Sequence, residues 1–113
     1  MSRQTVIIGV SGGIGAGLAR QALARGDQVT GFARSLGGAL HIDLEDEPSI
    51  AAAAAYLRDQ GIVPDCVIVA TGLLHAGGRG PEKSLKDLDA VWMARNFAVN
   101  TIGPALVAKH FVP

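Results

Sequence analysis

The segment Gly9-Val10-Ser11-Gly12-Gly13-Ile14-Gly15 constrains this chain more than any other. It follows an apolar run, Thr5-Val6-Ile7-Ile8, with the length and character of a short buried strand. It opens into Leu18-Ala19-Arg20-Gln21-Ala22-Leu23-Ala24-Arg25, where apolar residues recur at helical spacing. Strand, glycine loop and helix in that order make a site for the phosphates of a dinucleotide. Gly9 lets the backbone turn off the strand, Gly13 lets a pyrophosphate approach the main chain, and Gly15 lets the helix lie close on the sheet. The N–H groups of the first helical turn then face the anion, and the helix dipole adds to the attraction. Gly9, Ser11, Gly12, Gly13, Ile14 and Gly15 are therefore the loop's candidate cofactor contacts. A triphosphate loop is disfavoured, because no Gly-Lys-Ser or Gly-Lys-Thr follows. Glycine-rich turns also open methyltransferase-like folds and purely structural strand–helix units, so the loop alone leaves those readings open.

At 113 residues the chain suffices for one small domain, 1–113, with its own core. Ten basic and ten acidic residues cancel, which argues against a nucleic-acid patch or a basic membrane-surface helix. Hydrophobic residues make up 49% but aromatics only 4%, so the core must be built from Ala, Val, Leu and Ile, as in a helix-covered parallel sheet. The lone cysteine, Cys66, has no intrachain disulfide partner and lies in an apolar run where burial is expected. No signal peptide is visible and no stretch is long and apolar enough to span a bilayer. A reducing, cytoplasmic setting is expected. Three scattered histidines and one cysteine lack the convergent spacing of metal ligands, so no metal site is expected.

Strands are predicted at 4–10, 28–33, 39–42 and 65–70, the last apolar almost throughout and therefore central. Helices are predicted after the glycine loop, over Ile50 to Gln60, and from Leu88 through Phe111 with an interruption at Gly103-Pro104. Ser84 with Asp87 three residues on reads as a helix cap. The alternation predicts an α/β fold: a Rossmann-type parallel sheet of strand order 3-2-1-4, flanked by helices and ending after the helix that carries Asn100. Ligand would lie across the carboxyl ends of strands one and four.

The end of the second strand selects between the two nicotinamide dinucleotides. An acid there binds the ribose hydroxyls and repels a 2′-phosphate. Here the residues are Ala33-Arg34-Ser35. Arg34 offers a planar fork to a phosphate and Ser35 a hydroxyl, which favours NADP over NAD. The alternative is a solvated surface arginine. Arg34 also argues against a methyltransferase-like fold, which prefers an acid at this point.

Several motifs together carry a family resemblance. Gly9-Val10-Ser11-Gly12-Gly13-Ile14-Gly15 resembles the TGxxxGIG loop of short-chain dehydrogenases/reductases, with Ile8 in place of the usual threonine. Asp43-Leu44 resembles the family's acidic–aliphatic pair that contacts adenine. Val69-Ala70-Thr71-Gly72 stands where many members have Asn-Asn-Ala-Gly, which adds Ala70, Thr71 and Gly72 to the candidate cofactor contacts. Phe97-Ala98-Val99-Asn100-Thr101-Ile102-Gly103-Pro104 resembles the family's helix motif, with Asn100 on its catalytic asparagine. The short second connection, the Gly72-Leu73-Leu74-His75 loop and Pro81-Glu82-Lys83-Ser84-Leu85 are similar to the C-factor-like subgroup.

The resemblance implies NADP-linked hydride transfer between a carbonyl and an alcohol, a homo-oligomer formed through the last helices, and an asparagine that bends its helix to hold a relay water. It also implies a serine, a tyrosine and a lysine four residues after the tyrosine. The only tyrosine here is Tyr56, with Gln60 four residues on. The family's catalytic Ser, Tyr and Lys would follow Asn100, so the chain reads as the amino-terminal half of a reductase, able to bind dinucleotide and unable by itself to turn over. A non-catalytic, nucleotide-responsive interaction module is the alternative.

Overall fold

The computed structural model describes residues 3–72 and 82–112. Three parallel strands form its sheet: β1 (Gln4–Ile8), β2 (Gln28–Phe32) and β3 (Cys66–Val69), in the order β2-β1-β3. Thr5 pairs with Val29 on one side and Cys66 on the other, and the register runs on to Ile8 against Phe32 and Val69. Helix α1 (Gly13–Ala24) connects β1 to β2, and α2 (Glu47–Asp59) leads towards β3. Helices α3 (Ala90–Phe97) and α4 (Gly103–Phe111) are joined by a π-helical turn, Ala98–Ile102. This is the expected Rossmann-type architecture, an open parallel sheet with helices against it.

Two details of the sheet differ from expectation. The third predicted strand, 39–42, is reduced to one parallel bridge, Ala33↔His41, preceded by a 3-10 turn at Gly38–Leu40. Gly37-Gly38 leaves too little chain to run a full strand back along β2. The bridge still lies on the outer side of β2, so the predicted spatial order survives. The strand predicted to be central, β3, pairs only with β1 among the described residues and is half-buried throughout. β1 is the central strand, with Val6, Ile7 and Ile8 fully buried. Cys66 is accordingly half-buried rather than enclosed.

The core lies where β1 and β2 meet α2 and α4. Ile50, Ala53, Ala54 and Leu57 of α2 pack with Phe32, Ile42, Leu44, Val107 and Phe111. Phe32 takes Tyr56 and Phe111 edge-on, at centroid separations of 6.2 and 6.1 Å. Tyr56 is thus a packing residue, as the alanine-rich helix around it suggests. One expectation about the last helices needs correction. Ser84 caps nothing with its side chain; the cap of α3 is Asp89, which accepts the Trp92 N–H at 3.0 Å. Trp92 is buried, whereas Phe97 is 58% exposed.

A polar lock holds the start of β1. Asp27 is buried, and one of its oxygens accepts the Thr5 hydroxyl at 2.8 Å and the Arg25 guanidinium at 2.8 and 3.1 Å. The Arg25 hydrogen bonds, and then that of Thr5, hold the Asp27 carboxyl below the usual carboxylate range against the opposing pull of burial. A lowered folded-state pKa means the stabilisation is present above the ordinary value of 3.8 and fades as pH falls through the folded one. Asp27→Ala is expected to lower the melting temperature at neutral pH, leaving the buried Thr5 hydroxyl unpaired. The gap to the wild type should narrow below pH 3.8, as melting curves across the acid range would show.

Candidate functional site

The carboxyl ends of β1, β2 and β3 open into a cleft of about 350 Å³, within the range of roughly 300–1,000 Å³ typical of small-molecule sites. The glycine loop contributes Gly9, Ser11 and Gly12; the end of β2 contributes Ala33, Arg34 and Ser35. Ile42 to Glu45 close one side, and Ala70, Thr71 and Gly72 the other, with Val99 reaching in from the π-helical turn. Ten of the fourteen candidate residues singled out from the sequence meet here, drawn from four separate stretches of chain.

Gly9 has φ +93°, a left-handed conformation that glycine adopts without strain. Its amide and that of Val10 both donate to the Phe32 carbonyl, at 2.8 and 3.1 Å, which ties the loop to the end of β2. A Cβ at Gly9 would lie 2.8 Å from the Thr71 methyl and 3.1 Å from the Ala70 carbonyl group. The loop and β3 are therefore in close contact at the floor of the cleft. Helix α1 begins at Gly13 with no side-chain cap on its first turn and no acid in it. Those N–H groups need an acceptor, and an anion is one that their dipoles favour.

Not every predicted loop contact lines the cleft. Gly15 is buried against the Gly9 carbonyl and acts as the close-packing glycine. Gly13 and Ile14 border a shallow depression on the outer side of α1 beside Arg20 and Gln21, and Ile14 is 76% exposed.

Across the cleft, the Ser35 hydroxyl donates to that of Ser11 at 3.0 Å, joining the β2 end to the glycine loop. The Arg34 side chain is exposed, and no carboxylate among the described residues pairs with it. On the opposite rim, Asp43 Oδ1 accepts the Glu45 N–H at 2.9 Å. The Asp43 N–H donates to Ser49 Oγ at 2.9 Å, and that hydroxyl lies within 2.9 Å of both the Asp43 and Asp46 carbonyls. Ser49 thus fixes the turn that sets Asp43, a role the sequence did not reveal; a serine two residues into a helix reads as an ordinary first-turn residue. Arg95 of α3 grips Glu45 at 3.2 Å on the same rim. Leu44 is buried beneath it.

Asn100 lies in the π-helical turn, at the Gly72 end of β3: a Cβ on Gly72 would be 3.7 Å from Asn100 Oδ1. The expected bend is therefore a widened turn. Pro104 lacks the N–H that an α-helix would direct at the Asn100 carbonyl, which favours the irregular geometry. The loop 73–81, with His75, lies outside the described residues. Thr71 Oγ1 is buried without a hydrogen-bond partner. Among the described residues no group of three metal-ligating side chains exists, and no helix is long and apolar enough to cross a membrane.

No protein-family model matches the sequence, and no curated protein does. Solved structures match the fold. A small-chain dehydrogenase in complex with NADPH is 28% identical, with a TM-score of 0.74 over 97% of this chain and 44% of its own. A carbonyl reductase from chicken fatty liver, with NADPH bound, is 24% identical at a TM-score of 0.79 over 99% and 51%. A short-chain dehydrogenase from Leptospira borgpetersenii, with NAD+ bound, is 18% identical at 0.82 over 98% and 45%. The architecture is thus that of short-chain dehydrogenases and reductases. The chain spans about half the length of these structures.

Proposed function

We propose that the chain is the NADP(H)-binding portion of a short-chain oxidoreductase, resembling the amino-terminal half of the C-factor-like subgroup, in a cytoplasmic setting. The observation that carries this reading is the single cleft that unites the glycine loop up to Gly12, the residue before α1, with Arg34, which has no carboxylate partner among the described residues, and with the Asp43–Leu44 turn. Each matches one part of the cofactor: pyrophosphate beside Gly12 and the first-turn amides of α1, 2′-phosphate at Arg34 and Ser35, adenine against Asp43 and Leu44, and the nicotinamide side by Ala70, Thr71, Gly72 and Asn100. The orphaned Thr71 hydroxyl fits a site completed by a ligand. Neighbours with NADPH and with NAD+ are both known, so the choice of NADP rests on Arg34. Bound there, the cofactor would supply the hydride; these residues hold and orient it.

The 113 residues alone are expected to bind without turning over, because their one tyrosine is packed on Phe32 in the core. Calorimetric titration with NADP+ and NAD+ tests the binding, with heat expected for NADP+ first. An NADPH-oxidation assay on generic carbonyl compounds tests the second half, and clear consumption would overturn it.

The interaction-module reading is favoured by two observations. Val91, Phe97 and Ile102 are 79%, 58% and 53% exposed along α3 and the turn after it. The apolar edge strand β3 has an unpaired side among the described residues. Apolar faces and open sheet edges invite self-association. Light scattering after size exclusion should give more than a monomer mass. Phe97→Glu should shift it to monomer without lowering the melting temperature.

A further inference from the structure

We propose that His41 is the positioning residue for NADP selectivity: its imidazole pins the turn that presents Arg34 and Ser35 to the 2′ position of the nucleotide. The inference rests on the nucleotide-binding reading above and goes beyond it, to a residue that touches no ligand.

The Leu36 N–H donates to the Ala33 carbonyl at 3.3 Å and closes a β-turn with Arg34 and Ser35 at its two corners. Such a turn satisfies neither the Arg34 nor the Leu36 carbonyl. His41 Nδ1 stands 3.1 Å from both oxygens. Carbonyls only accept, so a nitrogen placed between two of them must carry a hydrogen, and the neutral ring is the Nδ1–H tautomer. The backbone that carries the ring is held in its turn. Ala33 N–H donates to the Leu40 carbonyl at 3.1 Å, and Ile42 N–H to the Ala33 carbonyl at 3.2 Å, which makes the Ala33↔His41 bridge. His41 is thus a fixed post that secures the turn at its first corner and at its close.

Little else could. Between turn and bridge lies Gly37-Gly38, which is conformationally loose. Without the imidazole the turn keeps one long backbone bond and the Ser35–Ser11 hydroxyl contact. An exposed arginine on a loose turn must be ordered when the phosphate arrives, and that cost comes out of affinity. NAD has no phosphate at this position, so its binding does not depend on the turn being preset. Selectivity, rather than affinity in general, is what the histidine governs.

Two measurements test this on the purified chain. Nitrogen-15 NMR of the wild type should show His41, in its neutral form, as the Nδ1–H tautomer; the Nε2–H tautomer would overturn the proposal without any variant. Calorimetry then compares His41→Val, which has no donor, with His41→Asn, whose side-chain amide can reach the same oxygens. His41→Val is expected to lose about tenfold in NADP+ affinity and less than about twofold for NAD+. His41→Asn should restore most of the difference. Equal losses for both nucleotides, or no recovery with asparagine, overturn the positioning role. A wild type that binds neither nucleotide removes the parent reading, and this inference with it. A wild type that binds NADP+, with selectivity unchanged in His41→Val, removes this inference alone.

Discussion

Gly15→Ala is expected to destabilise the fold severely, whereas Gly13→Ala, two residues away on the same helix, is expected not to. A Cβ at position 15 would overlap the Gly9 carbonyl oxygen and lie 2.8 Å from its carbon. Both obstacles are main chain, so no side chain can swing aside. Either α1 lifts off the sheet or the loop after β1 unwinds, and the Gly9 and Val10 bonds to Phe32 go with it. Overpacking of this kind costs about 1–3 kcal/mol, and a backbone obstacle puts the change at or above the upper end. Alanine's better helix propensity returns about 1 kcal/mol. The net loss is about 2 kcal/mol or more, a fall in melting temperature of the order of 10 °C for a domain of this size. At position 13 nothing lies within 4 Å of an added Cβ, so only the propensity acts and the melting temperature should hold or rise. Thermal melts followed by circular dichroism decide the matter. If Gly15→Ala melts with the wild type, α1 does not sit on the loop as described. If Gly13→Ala weakens NADP+ binding at unchanged melting temperature, the amide at that position faces the pyrophosphate.

That pair of glycines also shows what a sequence can and cannot reveal. The glycine loop, the strand before it and the helix after it are local patterns, and each formed where its residues called for it. Arg34-Ser35 was legible because it follows a strand end, and strand ends are where a parallel sheet binds ligands; Asp43-Leu44 stood out only by its resemblance to the family's acidic–aliphatic pair. What escaped was everything set by long-range packing. Ala39-Leu40-His41-Ile42 has strand composition, yet the glycines before it leave room for a single bridge. Cys66-Val67-Ile68-Val69 has the uniform apolarity of a central strand but stands at the edge of the described sheet. His41 looked like one of three scattered histidines. Its pairing with two carbonyls on a turn five to seven residues away becomes visible only once the bridge is formed. Ser49 and Arg95, which brace the far rim, are equally unremarkable in the sequence, because their partners Asp43 and Glu45 are brought to them by the fold.

Arg34→Ala is expected to weaken NADP+ and leave NAD+ nearly untouched. The guanidinium stands exposed at a turn corner beside the cleft, with no carboxylate among the described residues to neutralise it. Its neighbour Ser35 bridges to Ser11 and so fixes where the β2 end meets the glycine loop. A 2′-phosphate there would meet a planar cation and nearby hydroxyls, and hydrogen bonds to a charged group are worth about 1.5–3 kcal/mol. That is a loss of roughly 10- to 150-fold in NADP+ affinity. Arg34→Lys keeps the charge but loses the two-pronged geometry, so it should fall between wild type and alanine. Because the site is open to solvent, the penalty should shrink as salt is raised, which distinguishes a charge contact from a disturbed turn. Titrations with both nucleotides at low and high ionic strength read all three effects. Parallel losses for NADP+ and NAD+ would mean that Arg34 supports the cleft rather than the phosphate, and no loss for either would return it to the class of solvated surface arginines.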